Sequence, residues 1–411
     1  MTQDQHSFAS SVSTENRLAH STLPAFIVRI SAIGDTLIAA RTQAHLLTRG
    51  YAPVLVTHKN NASLLGCMPL LQGACLVSDS GPTFLWKAEN KTDLAEINES
   101  EFIAALRKSI EKSGSDHIQK NDKLNVLDLQ NTARSMRAIR DLEVRLTRAG
   151  LKIEKRKVAK LSFWRLLLVF LSYLARRQWT GREIPAWLQR RLKPVHRLQR
   201  EIVESLPHLS RAPQASLPQP LIVPGTQPHF PQGHVVFLVG ASLRLKSWPK
   251  ENYRALQKKI LEHTALSVVL CGGPEDVQIG EYLSFPAHDR IINKIGKTSL
   301  AETLGLIRAA AYVVTGDSFA SHAADLLGTP ASVLFGSTHP LLGFAPQGSH
   351  IHIHHSELSC SPCSRHGQGE CRFKNMRCLT AITPDEVFSK IEQISRTAGQ
   401  GIDALRQRSD S

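Results

Sequence analysis

Short apolar runs alternate with amphipathic stretches from residue 25 onward, and this alternation sets the expected elements. Ala25 to Ile30 reads as a strand, and Ser31 to Asp35 leads into a helix with Leu37, Ala40, Ala44 and Leu47 on one face, closed by Gly50. Pro53 to Thr57 and Leu124 to Leu129 read as further strands, the second followed by Gln130 to Ser135 and a helix. The second half repeats strand and helix more cleanly. His234 to Val239 is a strand, Gly240 to Trp248 a polar loop, and Pro249 opens a helix with Tyr253, Leu256 and Ile260 inward. Strands follow at Ser267 to Cys271, 312 to 315 and Ala331 to Phe335, with helices around 300 to 310 and through His322. Such alternation predicts an α/β protein with two Rossmann-like domains facing a cleft.

The expected boundaries are a polar leader over 1–24, a first domain over 25–205 and a proline-rich linker over 206–233. A second domain covers 234–395 and a tail 396–411. The leader lacks the apolar core of a secretory signal. Within the first domain, the basic segment 143–205 is expected to be helical.

Charge changes the picture next. Lys and Arg number 50 against 35 Asp and Glu, a formal net charge of +15, which favours an anionic partner: nucleic acid, acidic lipid or a phosphorylated substrate. The most apolar segment, Leu161 to Ala175, is shorter than the roughly 20 residues of a spanning helix and is interrupted by Arg165. Lys155-Arg156-Lys157 and Arg176-Arg177 flank it. Three readings stay open, a helix lying in a membrane interface, a buried helix with basic ends and a single-span anchor.

Chemistry concentrates in the turns that follow strands. Val313 to Gly328 carries a β-branched run, the N-cap pair Asp317-Ser318, His322 in the first helical turn and Gly328 at the C-cap. A polar turn between a buried strand and a helix N-terminus suits an anionic ligand, so Asp317, Ser318 and His322 are candidate binding residues. Gly34 allows close backbone approach, and Asp35 is either a general base or an acid stabilising its helix dipole. The loop Gly240 to Pro249 sets Ser242, Arg244 and Lys246 between strand and helix, a composition that binds diphosphate. Cys360, Cys363, Cys371 and Cys378 have spacing that suits a structural zinc, with reduced thiols or disulfides as the alternatives. His350, His352 and His354 fall on one face of an alternating run and are expected to be solvated.

Together and in this order, these pieces resemble the bacterial lipopolysaccharide heptosyltransferases, glycosyltransferase family 9. The marks are Arg29 to Asp35, Gly240-Ala241-Ser242 with Lys246 and Trp248-Pro249, and Cys271 to Asp276. Gly296 to Leu300, Gly316-Asp317-Ser318 with His322, and Phe335 to Thr338 complete the set. The resemblance implies the GT-B architecture, ADP-L-glycero-D-manno-heptose as donor, an inner-core lipopolysaccharide sugar as acceptor, inversion at the anomeric carbon and no catalytic metal. It makes Asp35 the base and gives Ser242 and Lys246 the donor diphosphate. Asp317, Ser318 and His322 would contact the donor heptose and phosphates, Glu275 or Asp276 the nucleoside, and Arg134 the acidic acceptor. It further implies a peripheral enzyme on the cytoplasmic, anionic face of the inner membrane. Phe319 stands where the family usually has Gly, which leaves another nucleotide-sugar donor open. A basic zinc-containing nucleic-acid-binding protein is the remaining reading. The chain has no zinc-finger His pair or aromatic RNP stripe, so no nucleic-acid partner is expected.

Overall fold

The computed structural model describes residues 23–394 apart from 89–92, 114–122, 175–177, 179–180, 182, 208, 210–221, 223–229, 231–232 and 241–242. Ser242, the tail and nearly all of the leader therefore lie outside the described residues. Leu23 and Pro24 do not belong to a leader, because they open the first strand. Contacts divide the chain into two units. The first takes 1–32, 39–158 and 199–218, and the second takes 33–38, 159–198 and 219–411.

The first unit is built on β1 (Leu23–Val28), α1 (Ile33–Thr48), β2 (Tyr51–His58), β3 (Gly73–Val77), β4 (Thr83–Lys87), β5 (Leu94–Ile97), α2 (Glu99–Lys112), β6 (Lys123–Asp128), α3 (Ala133–Arg148) and β7 (Lys152–Lys157). Its sheet has the order β5-β4-β3-β2-β1-β6-β7, parallel except that β4 runs antiparallel to both its neighbours, β3 and β5. Phe26, Val28, Val54, Val126 and Leu142 are among the buried side chains of its core. The helical expectation for 143–205 fails at β7. Lys-Ile-Glu-Lys-Arg-Lys has no helical apolar stripe, and only Ile153 packs on the core. An edge strand needs no more, and its charged side chains discourage pairing with another chain. The start of the expected linker is fastened to this unit: Tyr51 donates its hydroxyl to the Pro207 carbonyl (3.2 Å), and Leu209 N–H donates to the Arg49 carbonyl (3.1 Å).

The chain continues through α4 (Ser162–Tyr173), α5 (Ala186–Arg191) and α6 (Val195–Glu204). The second unit then alternates β8 (His234–Leu238), α7 (Lys250–His263), β9 (Ser267–Cys271), α8 (Val277–Ser284), β10 (Ile291–Asn293), α9 (Leu300–Ala309), β11 (Tyr312–Gly316), α10 (Phe319–Leu327), β12 (Ala331–Phe335), β13 (Ile351–His355) and α11 (Arg377–Thr380). All strands are parallel, in the order β10-β9-β8-β11-β12-β13. Tyr253, Leu256 and Ile260 of α7 point into the core with Val235, Phe237, Val314 and Trp248. The strand order reverses between β8 and β11, so the loops leaving these two strands diverge and open a crevice at their carboxyl ends.

Candidate active site

Lys246 and Asp317 come from the two loops that leave β8 and β11, and they meet at that crevice. The Lys246 ammonium lies 2.8 Å from Asp317 Oδ2 and donates to the Asp317 carbonyl at 3.0 Å. Thr338, just past β12, donates its hydroxyl to the same carboxylate oxygen at 2.8 Å. The two side chains are only 19% and 12% exposed, so water screens the pair far less than it screens a surface ion pair. Two glycines allow this approach. A Cβ on Gly316 would stand 2.7 Å from the Lys246 carbonyl oxygen, and one on Gly336 would stand 2.8 Å from that of Leu245. Ser318 caps α10, accepting from Ala320 N–H at 3.3 Å, and its hydroxyl also meets that of Thr315 at 3.0 Å. It shapes the helix entrance that the sequence assigned to a ligand.

His322 and Asp35 join the same cluster. Burial holds the His322 imidazole below its ordinary value; Asp317, Asp35 and Asp325 pull it upward, while Lys246 adds to the fall. Asp35 stands in the first turn of α1, in the stretch that groups with the second unit. Gly34 permits the contact, since a Cβ there would lie 3.3 Å from Phe319 Cα. Phe319 thus marks where the opening turns of α1 and α10 touch. The arrangement sets two carboxylates, a neutral imidazole and an ammonium around one crevice, enough to accept a proton, bind phosphate and stabilise a departing anion.

The other expected residues separate. Asp276 is buried and accepts from Gly273 N–H at 2.9 Å, filling space left by the missing side chains of Gly240 and Gly272. Burial raises its carboxyl above the usual range, against the pull of that backbone bond. Glu275 is exposed and is the freer of the two for a ligand. Arg134 is exposed in the first turn of α3, in the first unit.

The cysteine-rich segment supplies site residues that sequence reasoning missed. Cys363 and Ser364 N–H groups both donate to the Ser337 carbonyl, at 3.0 and 3.1 Å, which ties the segment beside Thr338. Gly367 N–H donates to the Ser364 hydroxyl at 2.9 Å, closing a turn whose tip lies on Lys246. A Cβ on Gly367 would come within 2.8 Å of Lys246 Cγ. Burial, with Arg365 and Lys246, lowers the His366 imidazole, while Asp35 and Asp317 oppose the fall. No local sequence signal announces this, because the turn follows Lys246 by more than a hundred residues. No disulfide joins the four cysteines. Burial first, and the neighbouring thiols second, push Cys363 up to about 11 and Cys378 up to about 12. Among the described residues no three His, Cys, Asp or Glu side chains converge as a metal site.

The histidine run is not a solvated face. His354 is buried, with its Nε2 2.9 Å from the Ser332 hydroxyl and its Nδ1 2.9 Å from Glu386 Oε1. The ring of His352 stacks near Tyr312, with centroids 6.4 Å apart.

Comparison with known proteins bears on the fold. The sequence pattern of glycosyltransferase family 9 (heptosyltransferase) matches residues 193–375. No curated protein sequence matches the chain. Among solved structures, a family 9 glycosyl transferase from Veillonella parvula is similar at 13% identity and TM-score 0.57, covering 91% of this chain and 98% of its own. The E. coli ADP-heptose lipopolysaccharide heptosyltransferase II is similar at 16% identity and TM-score 0.55, over 92% and 100%. E. coli heptosyltransferase WaaC, solved with ADP, is similar at 19% identity and TM-score 0.53, over 90% and 100%. These identities carry the fold, and the matched segment carries Lys246, Asp317, His322, Thr338 and Gly367. Residues 193–375 match the pattern of glycosyltransferase family 9 (heptosyltransferase), and the chain as a whole has the GT-B fold seen in the solved heptosyltransferases it is similar to.

Proposed function

We propose that the protein moves heptose from ADP-L-glycero-D-manno-heptose to an inner-core sugar of lipopolysaccharide, with inversion. The observation that carries this reading is the Lys246–Asp317–Thr338 contact at the strand-order reversal, with Asp35 and His322 in the same cluster. Asp35 takes the proton of the acceptor hydroxyl as its oxygen attacks the anomeric carbon. The bond from that carbon to the diphosphate oxygen breaks, and ADP leaves with the electron pair. Lys246 offsets the charge growing on the leaving diphosphate, and Asp317 with Thr338 holds the ammonium on target. His322, kept neutral by burial, donates or accepts a hydrogen bond without adding charge. Ser242, which lies outside the described residues, is assigned to the donor diphosphate from its place in the sequence, Glu275 serves the nucleoside and Arg134 the anionic acceptor. On this reading the enzyme works at the cytoplasmic face of the inner membrane.

ADP release from ADP-heptose with Kdo2-lipid A as acceptor tests the proposal. Wild type should turn over only with acceptor present, and Asp35→Asn should lose about 100-fold or more in kcat. An unimpaired Asp35→Asn variant would remove the base assignment. No turnover by wild type, together with calorimetric binding of another sugar nucleotide, would replace the donor.

Zinc on Cys360, Cys363, Cys371 and Cys378 is a separate proposal supported by their spacing alone; it requires the four side chains to close up from the positions they take here, and no step of transfer runs through it. Metal analysis of the purified chain should find about one zinc per chain, lost in Cys363→Ser. A metal-free, fully active wild type would end it.

A further inference from the structure

The helix α4 is held on one side and bare on the other. Leu168 and Ser172 are buried, and Leu168 packs with Ile184, Leu188, Leu192 and Leu342, which fixes the helix on its unit. The opposite stripe is Phe163 (65% exposed), Leu166 (51%), Phe170 (56%), Tyr173 (61%) and Leu174 (56%). Their spacing puts all five within one narrow face of a 3.6-residue helix. Trp187 of α5, 54% exposed, extends the patch through Trp164, whose ring centroid lies 6.4 Å away.

Water-exposed aromatic and leucine side chains on a rigid platform call for an apolar partner. The surrounding charge says which kind. Between residues 159 and 198 the chain has nine Lys or Arg and one acid, Glu183. Arg191 lies over the Trp164 ring (5.3 Å to its centroid) and Arg372 over Tyr173 (5.1 Å), so cations border the stripe itself. Phe, Trp and Tyr mixed with Arg suit the boundary between lipid headgroups and acyl chains, where rings sink and guanidinium groups stay with phosphate. No described helix is long and apolar enough to cross a membrane, and α4 has 12 residues.

We propose that the exposed face of α4, with Trp187, docks the protein on an anionic phospholipid bilayer, with α4 lying in the interface plane. This inference rests on the reading of a lipid-linked acceptor, but its binding readout needs no sugar substrate. Sedimentation of the full chain with phosphatidylglycerol–phosphatidylethanolamine vesicles should show binding, and phosphatidylcholine vesicles should bind about tenfold more weakly. Phe163→Ser/Phe170→Ser should lower partition onto the anionic vesicles about tenfold or more. Its turnover of a water-soluble, lipid-free acceptor should stay at the wild-type level, which separates docking from folding. Equal partition of variant and wild type would overturn the proposal. So would a lipid-free sedimentation velocity run giving a wild-type dimer and a variant monomer, because the face would then be covered by a second copy. If wild type binds vesicles but never releases ADP, docking stands and the heptosyl-transfer reading falls.

Discussion

At the scale of single residues, the chemistry was legible where it sits in a turn after a strand and illegible where the chain returns from afar. Lys246 and Asp317 announced themselves as polar residues between a strand and a helix, and they meet at 2.8 Å. Gly367 did not, since nothing local in Arg365-His366-Gly367 says that the turn will rest on a lysine from another loop. Two glycines of this segment allow a controlled test. Gly367 and Gly369 both have left-handed backbone, with φ of +91° and +87°. An alanine therefore strains both alike, by about 1 kcal/mol. Only at Gly367 would the new Cβ press on Lys246, whereas Gly369 has open space around it. Gly367→Ala should lower kcat by about tenfold or more as the ammonium is displaced, while Gly369→Ala stays within about twofold of wild type. Equal losses in the two variants would mean that the turn matters only for folding.

At the scale of elements, β8, β9, β11 and β12 of the second unit could be read almost residue for residue, because buried parallel strands are continuous apolar runs, whereas the short α8 and β10 were not read. β7 could not, since an edge strand of five charged residues and one isoleucine presents no such run. β13 was read as a strand, but the surroundings of its histidines were misjudged. A hydrogen-bonded chain crosses three strands from Tyr312 through Ser332 to His354 and ends on Glu386. Glu386 lies 32 residues beyond His354, too far for any local pattern to foretell the cover. His354→Ala removes one of the two partners of the buried Ser332 hydroxyl, which keeps that of Tyr312, and leaves a hole where the buried imidazole stood. It should cost about 1–3 kcal/mol in urea-induced unfolding. Glu386→Gln keeps a partner for the imidazole and should cost less than about 1 kcal/mol. If His354→Ala were the milder change, the chain would contribute nothing to holding β13.

At the scale of the whole molecule, the strand order of the second sheet is the consequence that matters most. Strands were visible in the sequence, but their lateral order was not, and it is the order that brings Lys246 and Asp317 to one crevice. Titration is a second property of the whole. Burial is the leading cause that lowers His45, His234, His322, His352, His355 and His366 from their ordinary value of 6.5. Below 6.5 the unfolded chain protonates these rings while the folded chain resists, so the unfolded state binds more protons and stability falls with pH. The loss begins as pH drops through 6.5 and ends for each ring below its own folded value; above about pH 7.5 the six contribute a constant amount. Each proton that does bind adds to a formal charge already at +15, so self-repulsion acts in the same direction. The urea midpoint should therefore hold steady above about pH 7.5 and drop clearly by about pH 5.5. A midpoint that rose on acidification would mean that carboxylate pairing, not histidine burial, governs how this protein responds to acid.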